Sequence, residues 1–128
     1  MKYIPLTGRI LFSLIFLMTA INHFSGKTIG YAASQNVPFA SVLVPASGII
    51  ATLGALSIIL GYRARLGAWL IVLFLVPVTL MMHNFWTITD PMIRQMQMAM
   101  FLKNISMLGA ALMITYFGSG PFSIDAKA

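Results

Sequence analysis

The sequence predicts an all-α integral membrane protein, a four-helix transmembrane bundle that forms a single domain over residues 1–128. Hydrophobic residues make up 59% of the chain and charged residues 8%, and the mean hydropathy is +0.92. A soluble chain of this composition would have too few polar groups to cover its surface. Four long apolar segments lie at residues 4–24, 37–62, 66–86 and 92–117. Each is long enough, at about 1.5 Å per residue, to cross about 30 Å of hydrocarbon, and none alternates like a barrel strand.

The first predicted span has an ionisable residue near each end, Arg9 and His23. Ser13, Phe16 and Ala20 lie between them on the same helical face. A long cationic side chain can extend to the membrane surface, so a structural anchoring role is favoured for Arg9. We expect this span to be retained rather than cleaved as a signal, because Arg9 interrupts the apolar run and no small-residue cleavage pattern follows it.

The second and third predicted spans are joined by a short loop, residues 61–65, which predicts that they are antiparallel neighbours. Before them, residues 28–34 are expected to form a short interfacial helix, and Pro38 suits the first turn of the second span. Small residues at helical spacing predict that the second span has a packing face. They are Ser47, Gly48, Ala51, Gly54 and Ala55.

The third and fourth spans carry clear boundary signals. Pro77 lies inside the third span and predicts a kink there, because it removes a hydrogen bond to the carbonyl near Leu73. Trp86 is placed as an interfacial anchor at the end of this span. Asp90 is expected to cap the fourth span, with Pro91 at its first helical position. After Pro121 we expect a short polar tail.

The distribution of cations predicts the orientation. The N-terminus, the second loop and the C-terminus carry five of them, against Lys27 and Arg94 on the opposite side. The five are Lys2, Arg9, Arg63, Arg65 and Lys127. The positive-inside rule therefore predicts that both termini are cytoplasmic. The scattered cations form no basic stripe with interleaved aromatic residues, which argues against nucleic-acid binding.

Several kinds of chemistry are disfavoured by the residues present. The chain contains no cysteine, which excludes thiol exchange, iron–sulfur ligation and c-type haem attachment. His23, His83 and Asp90 come from three separate elements, so we expect no metal site there. Met96 and Met100 belong to a methionine-rich run that could bind a soft metal, but adaptable apolar packing is the preferred interpretation. We expect no catalytic residue.

The candidate binding site is built around Lys103, which interrupts the fourth span close to its middle. Ionisable residues inside a membrane are costly and usually face a bundle interior or a cavity, so we expect a polar pocket in the outer leaflet. A structural alternative is that the Lys103 amine only bonds Asn22, Asn104 or carbonyl groups. The predicted ligand-binding residues are Lys103, Asn104, His23, His83, Asn84, Arg9 and Trp86, with Phe16, Phe85, Trp86 and Phe101 enclosing the apolar part of the ligand.

Short motifs at the span ends resemble those of the DoxX family of small bacterial membrane proteins, and the resemblance covers nearly the whole chain in order. The motifs are Gly-Arg-Ile-Leu at 8–11, Tyr-Ala-Ala-Ser at 31–34, Leu-Gly-Tyr-Arg at 60–63, His-Asn-Phe-Trp at 83–86, Phe-Leu-Lys-Asn at 101–104 and Gly-Ser-Gly-Pro-Phe-Ser-Ile-Asp at 118–125. The sequence departs from the family at His23, where a lysine is frequent, and near Ala51, where an acidic residue is frequent.

The resemblance implies a four-span protein of the bacterial cytoplasmic membrane. It also implies membrane redox work, because related proteins include a subunit of thiosulfate:quinone oxidoreductase and a complex joining superoxide defence to thiol handling. Our favoured hypothesis is a non-catalytic subunit that binds a quinone-like ligand and supports a redox partner protein. The alternatives are an assembly protein, with the small residues of the second span as an oligomer or partner interface, and a small carrier or channel.

Overall fold

The computed structural model describes residues 3–35 and 37–127, and within them the chain is helical, with no strand. The helices are α1 (Ile4–Ala20), α2 (Gly26–Ser34), α3 (Ala40–Leu60), α4 (Ala64–Met82), α5 (Pro91–Phe117) and α6 (Ile124–Lys127), with 3₁₀ turns at Ile21–Phe24 and Phe85–Thr87. Four stretches are long and apolar enough to cross a membrane: Ile4–Phe24, Ala40–Leu60, Ala64–Thr87 and Pro91–Phe117. The predicted fold class is confirmed.

The helix boundaries differ from the prediction mainly around the second span. Phe39 has φ of 52°, a left-handed conformation that cannot belong to the helix, so α3 begins at Ala40 and Pro38 lies before it. The prediction that Pro38 occupies the first turn is therefore wrong. The predicted short helix is confirmed as α2, and its place at the membrane surface stays a prediction. It begins earlier than expected, at Gly26, because the Ser25 side chain accepts a hydrogen bond from the Lys27 N–H.

The four long helices pack in the order α1, α3, α4, α5. Among the described residues, α1 and α5 form no contact of comparable extent. The core between the helices consists of apolar side chains: Phe16, Ala51, Ala55, Ile58, Ala68, Ile71, Phe74, Leu75 and Ala111. The prediction that α3 and α4 are adjacent is confirmed.

Small residues allow α3 to approach both of its neighbours closely. A Cβ atom added to Gly54 would lie 2.8 Å from the Gly67 carbonyl oxygen of α4. One added to Gly48 would lie 2.7 Å from the His23 Cβ atom. Ala51 and Ala55 are 1% and 0% exposed. The predicted packing face of α3 is confirmed, and because it is buried inside the bundle it cannot serve as the partner interface considered above.

Candidate functional site

The bundle has two ends that differ in their polar contacts. The α2 end contains α2, His23 and the end of α4 at His83. The tail end contains the start of α1, the loop between α3 and α4, and residues 118–127.

A cavity of about 520 Å³ lies in the half of the bundle toward the α2 end. All four long helices and α2 contribute to its lining, which is largely apolar and includes Phe16, Phe74 and Met107. Seven lining residues have polar side chains: Thr19, His23, Thr28, Ser47, His83, Lys103 and Asn104. An apolar chamber with a few polar groups is the usual character of a small-molecule site.

Asn104 of α5 is a buried amide that points into this cavity. The residue is 5% exposed and belongs to the cavity lining. Its side chain forms no hydrogen bond with any other residue that the structure describes. Buried amides almost always have hydrogen-bond partners, because burial without one is costly. The Asn104 amide is therefore available to a molecule in the cavity.

Lys103 also lines the cavity, but it is exposed rather than enclosed in the bundle. Its Nζ atom lies 3.4 Å from the Met100 Sδ atom, and a thioether is only a weak acceptor. Lys103 therefore lies at the edge of the cavity as expected of a cavity residue, but it is not enclosed by the bundle. Among the described residues its amine forms no hydrogen bond with Asn22, Asn104 or a carbonyl group. Its neighbour Asn104 takes the inward position, because successive residues on a helix point about 100° apart.

His23, in the 3₁₀ turn that follows α1, and His83, directly after α4, both line the cavity. The His23 Nδ1 atom lies 3.1 Å from the Thr19 carbonyl oxygen, and its ring meets Phe74 edge-on at 5.3 Å between centroids. The His83 Nδ1 atom lies 2.8 Å from the Gln97 Oε1 atom. Gln97 was not among the residues predicted from the sequence, although an amide inside a methionine-rich run indicates a polar contact. In both histidines Nε2 forms no hydrogen bond within the described part of the chain.

The other predicted site residues are not brought to the cavity. Asn84 precedes the turn at Phe85–Thr87 that directs the chain into α5, and Trp86 lies within that turn. Trp86 is 52% exposed and packs on Phe85 and Phe101, with ring centroids 5.5 and 5.7 Å away. These three aromatic residues form a surface cluster outside the cavity lining. Of the four aromatic residues expected to enclose a ligand, only Phe16 lines the cavity.

Arg9 lies at the tail end and is 4% exposed. Its Nη1 atom donates to the carbonyl oxygens of Ile58 and Ile59, each at 3.3 Å. Its Nη2 atom donates to the carbonyl oxygens of Pro121 and Phe122, at 3.2 and 2.7 Å. Arg9 thus links α1, the end of α3 and the C-terminal segment. This agrees with a structural role, although the side chain binds backbone carbonyls inside the protein instead of extending to the membrane surface.

The C-terminal segment is folded back onto the bundle by Asp125. The Asp125 carboxylate accepts hydrogen bonds from the N–H groups of Arg63 and Ala64, at 2.8 and 3.1 Å, where α4 begins. Its own N–H donates to the Gly61 carbonyl oxygen at 2.7 Å. The two backbone donors lower the pKa of Asp125 below its ordinary value. The expected short polar tail is thus packed against the start of α4.

A bundle of four helices long and apolar enough to span a membrane, with a largely apolar cavity between them, defines the protein as a small integral membrane protein. Its whole length, residues 1–128, matches the SURF4 family, and the chain belongs to that family. This match corrects the assignment to the DoxX family that the sequence motifs suggested. The motifs behind it are short, and glycines, histidines and tryptophans at span ends meet general needs for turns and interfacial anchoring that unrelated membrane proteins share.

A relative supports the same assignment. The chain is 27% identical over 124 residues to the inner membrane protein YphA of Escherichia coli (strain K12), covering 95% of this chain and 88% of that protein. No solved structure matches the chain. The protein is thus a small integral inner-membrane protein of the SURF4 family. The expected redox role came from the DoxX resemblance and loses that support.

Proposed function

We propose that the protein binds a small amphiphile inside its membrane cavity, a molecule with an apolar body and an oxygen-bearing polar head. The volume of about 520 Å³ lies within the range of about 300 to 1,000 Å³ that is usual for small-molecule sites. The largely apolar lining suits a hydrocarbon or ring body. The volume favours a single chain or ring system over a whole diacyl lipid.

The buried Asn104 amide is the observation that carries this proposal. In a hydrocarbon environment no bulk water is present to satisfy it, so a ligand oxygen would contribute a hydrogen bond that the protein does not make itself. The free Nε2 atoms of His23 and His83 offer further polar contacts at the α2 end. A quinone, with oxygens on either side of an apolar ring, is one molecule of this class.

Native purification tests the proposal. Wild-type protein extracted in a mild detergent is expected to carry an amphiphile that organic extraction and mass spectrometry detect. Asn104→Leu keeps the branched shape of the side chain but removes the amide, and we expect about a tenfold loss of bound ligand, the effect of about 1.4 kcal/mol of binding free energy. Asn22→Leu is the matched control, because Asn22 is exposed and does not line the cavity.

Two results would reject binding of this kind. One is that wild-type protein, purified from membranes rich in quinones and lipids, carries no amphiphile in its cavity. The other is an Asn104→Leu protein that retains as much ligand as the Asn22→Leu control.

We also propose that the tail end faces the cytoplasm, so that the cavity lies in the outer half of the bilayer. Arg9, Arg63 and Arg65 lie at the tail end, whereas Lys27 and Arg94 lie at the α2 end. Because the chain has no cysteine, single cysteines report topology cleanly. A membrane-impermeant maleimide should label Lys27→Cys but not Arg65→Cys in spheroplasts; the opposite pattern would invert the orientation.

A further inference from the structure

We infer that the cavity selects an organic acid, an amphiphile with one carboxylate head that pairs with Lys103. This inference rests on the proposed function, since it specifies the chemical class of the same ligand. It is carried by the position of Lys103 on the cavity lining and by the lack of any carboxylate in the chain that can reach it.

The chain has only two acidic residues, Asp90 and Asp125. The Asp90 Oδ1 atom caps α5 by accepting from the N–H groups of Met92 and Ile93, at 3.0 and 3.3 Å. Lys103 lies thirteen residues further along this helix, a rise of about 20 Å. Asp125 is at the tail end, beyond the opposite end of α5, where it bonds the start of α4. Neither carboxylate can serve as counter-ion to Lys103.

The surroundings of Lys103 leave its charge uncompensated. In the described part of the protein its Nζ atom has one hydrogen-bond contact, with the weak acceptor Met100 Sδ. The residue lies near the middle of α5, at a depth where charged side chains are rare and usually mark a ligand or ion site. An anionic head at the edge of the cavity would supply a negative charge to pair with the Lys103 ammonium. The low dielectric constant of the membrane interior would strengthen the attraction between the two charges.

The neighbouring Asn104 favours a carboxylate as that head. Asn104 lines the cavity from inside the bundle and the long Lys103 side chain lines it at the edge, so a carboxylate between them can accept from the amide N–H groups with one oxygen and from the ammonium with the other. A single negative charge matches the single cation. A phosphate monoester with close to two negative charges would bring an excess charge for which the lining has no partner.

Three probes with the same hydrocarbon chain test the inference: dodecanoic acid, dodecan-1-ol and dodecyl phosphate, titrated into full-length protein in a neutral detergent. Wild type should bind the acid about tenfold more tightly than the alcohol, and more tightly than the phosphate. Lys103→Gln should abolish this preference by weakening acid binding about tenfold while leaving the alcohol unchanged. Lys103→Arg should keep the preference, and Lys27→Gln, a charge removal outside the cavity, should behave as wild type.

Equal affinity of wild type for the acid and the alcohol would overturn the inference, and this comparison decides even if Lys103→Gln fails to fold. Acid preference that survives in Lys103→Gln would also overturn it, as would tighter binding of the phosphate. Asn104→Leu separates the two proposals. If it loses all three probes while wild type shows no acid preference, amphiphile binding stands and the acid class fails; if it binds all three as wild type does, amphiphile binding itself fails.

Discussion

The two halves of the bundle differ in the contacts that they give to a cation within a membrane-spanning helix. At the tail end Arg9 is buried and donates to four backbone carbonyl oxygens from two distant segments. Toward the α2 end Lys103 is exposed and has only a thioether contact, beside an amide that has no partner among the described residues. A charged side chain within a membrane-spanning segment is costly in either place. The difference supports the proposal that the cavity half binds a ligand, whereas the contacts at the tail end stabilise the fold.

The largest expected effect is the loss of the Arg9 contacts. Arg9→Met should lower the free energy of unfolding by about 3 to 5 kcal/mol, because hydrogen bonds to a charged group contribute about 1.5 to 3 kcal/mol each and are not fully additive. Thermal unfolding in detergent, followed by circular dichroism, measures the change. Arg65→Met is the control, since Arg65 is exposed. If the two variants proved equally stable, the tail end would not be the stabilising region.

Gly61 should be nearly as sensitive. It has φ of 68°, and a Cβ atom there would collide with the Ser123 side chain and lie 2.5 Å from the Arg9 Nη1 atom. Gly61→Ala should therefore destabilise by about 2 to 4 kcal/mol, from left-handed strain and overpacking together. Gly8→Ala is the matched control, because a Cβ at Gly8 has nothing within 4 Å. The same unfolding assay should show Gly8→Ala unchanged or slightly stabilised; a comparable loss in both would contradict the packing described here.

Asp125 should have a smaller, pH-dependent effect. Asp125→Ala removes the cap of α4 and should cost about 1 kcal/mol at neutral pH. The folded-state pKa of Asp125 lies below its ordinary value of 3.8, so the carboxylate stabilises fully above that value and its contribution is lost as the pH falls through the lower folded pKa. The stability difference between wild type and Asp125→Ala should therefore narrow in acid. A difference that stays constant from neutral pH down to pH 2 would exclude a role for the carboxylate charge.

The smallest effect on stability is expected at Asn104, although its effect on binding is large. Asn104→Leu should leave the free energy of unfolding of the ligand-free protein within about 1 kcal/mol of wild type, or raise it, because an unpartnered buried amide is replaced by an apolar group. Unfolding of delipidated protein measures this. A loss as large as that of Arg9→Met would mean that Asn104 holds the fold together, and the contrast between the two ends would disappear.

Local patterns predicted the four spans, the interfacial helix α2, the cap at Asp90 and the packing face of α3, because each depends on residues close in sequence. The contacts of Arg9 join positions 49 to 113 residues apart, and no local pattern specifies such pairs. The sequence also could not predict in which direction the Lys103 side chain points. Helix α5 has apolar residues on every face, so the periodicity of its sequence does not indicate which face points into the bundle.

The exposed residues in the cavity lining have a consequence for how the proposed ligand would enter. Leu43 and Leu73, which line the cavity, are 46% and 58% exposed, and with Lys103 they lie along membrane-spanning helices. A ligand of the proposed kind would enter there sideways from the hydrocarbon phase. Its occupancy would then follow its mole fraction in the bilayer rather than its aqueous concentration. Of two compounds with equal intrinsic affinity, the one with the higher partition coefficient would fill more sites, and a change in fatty-acid composition would alter saturation without any change in the protein.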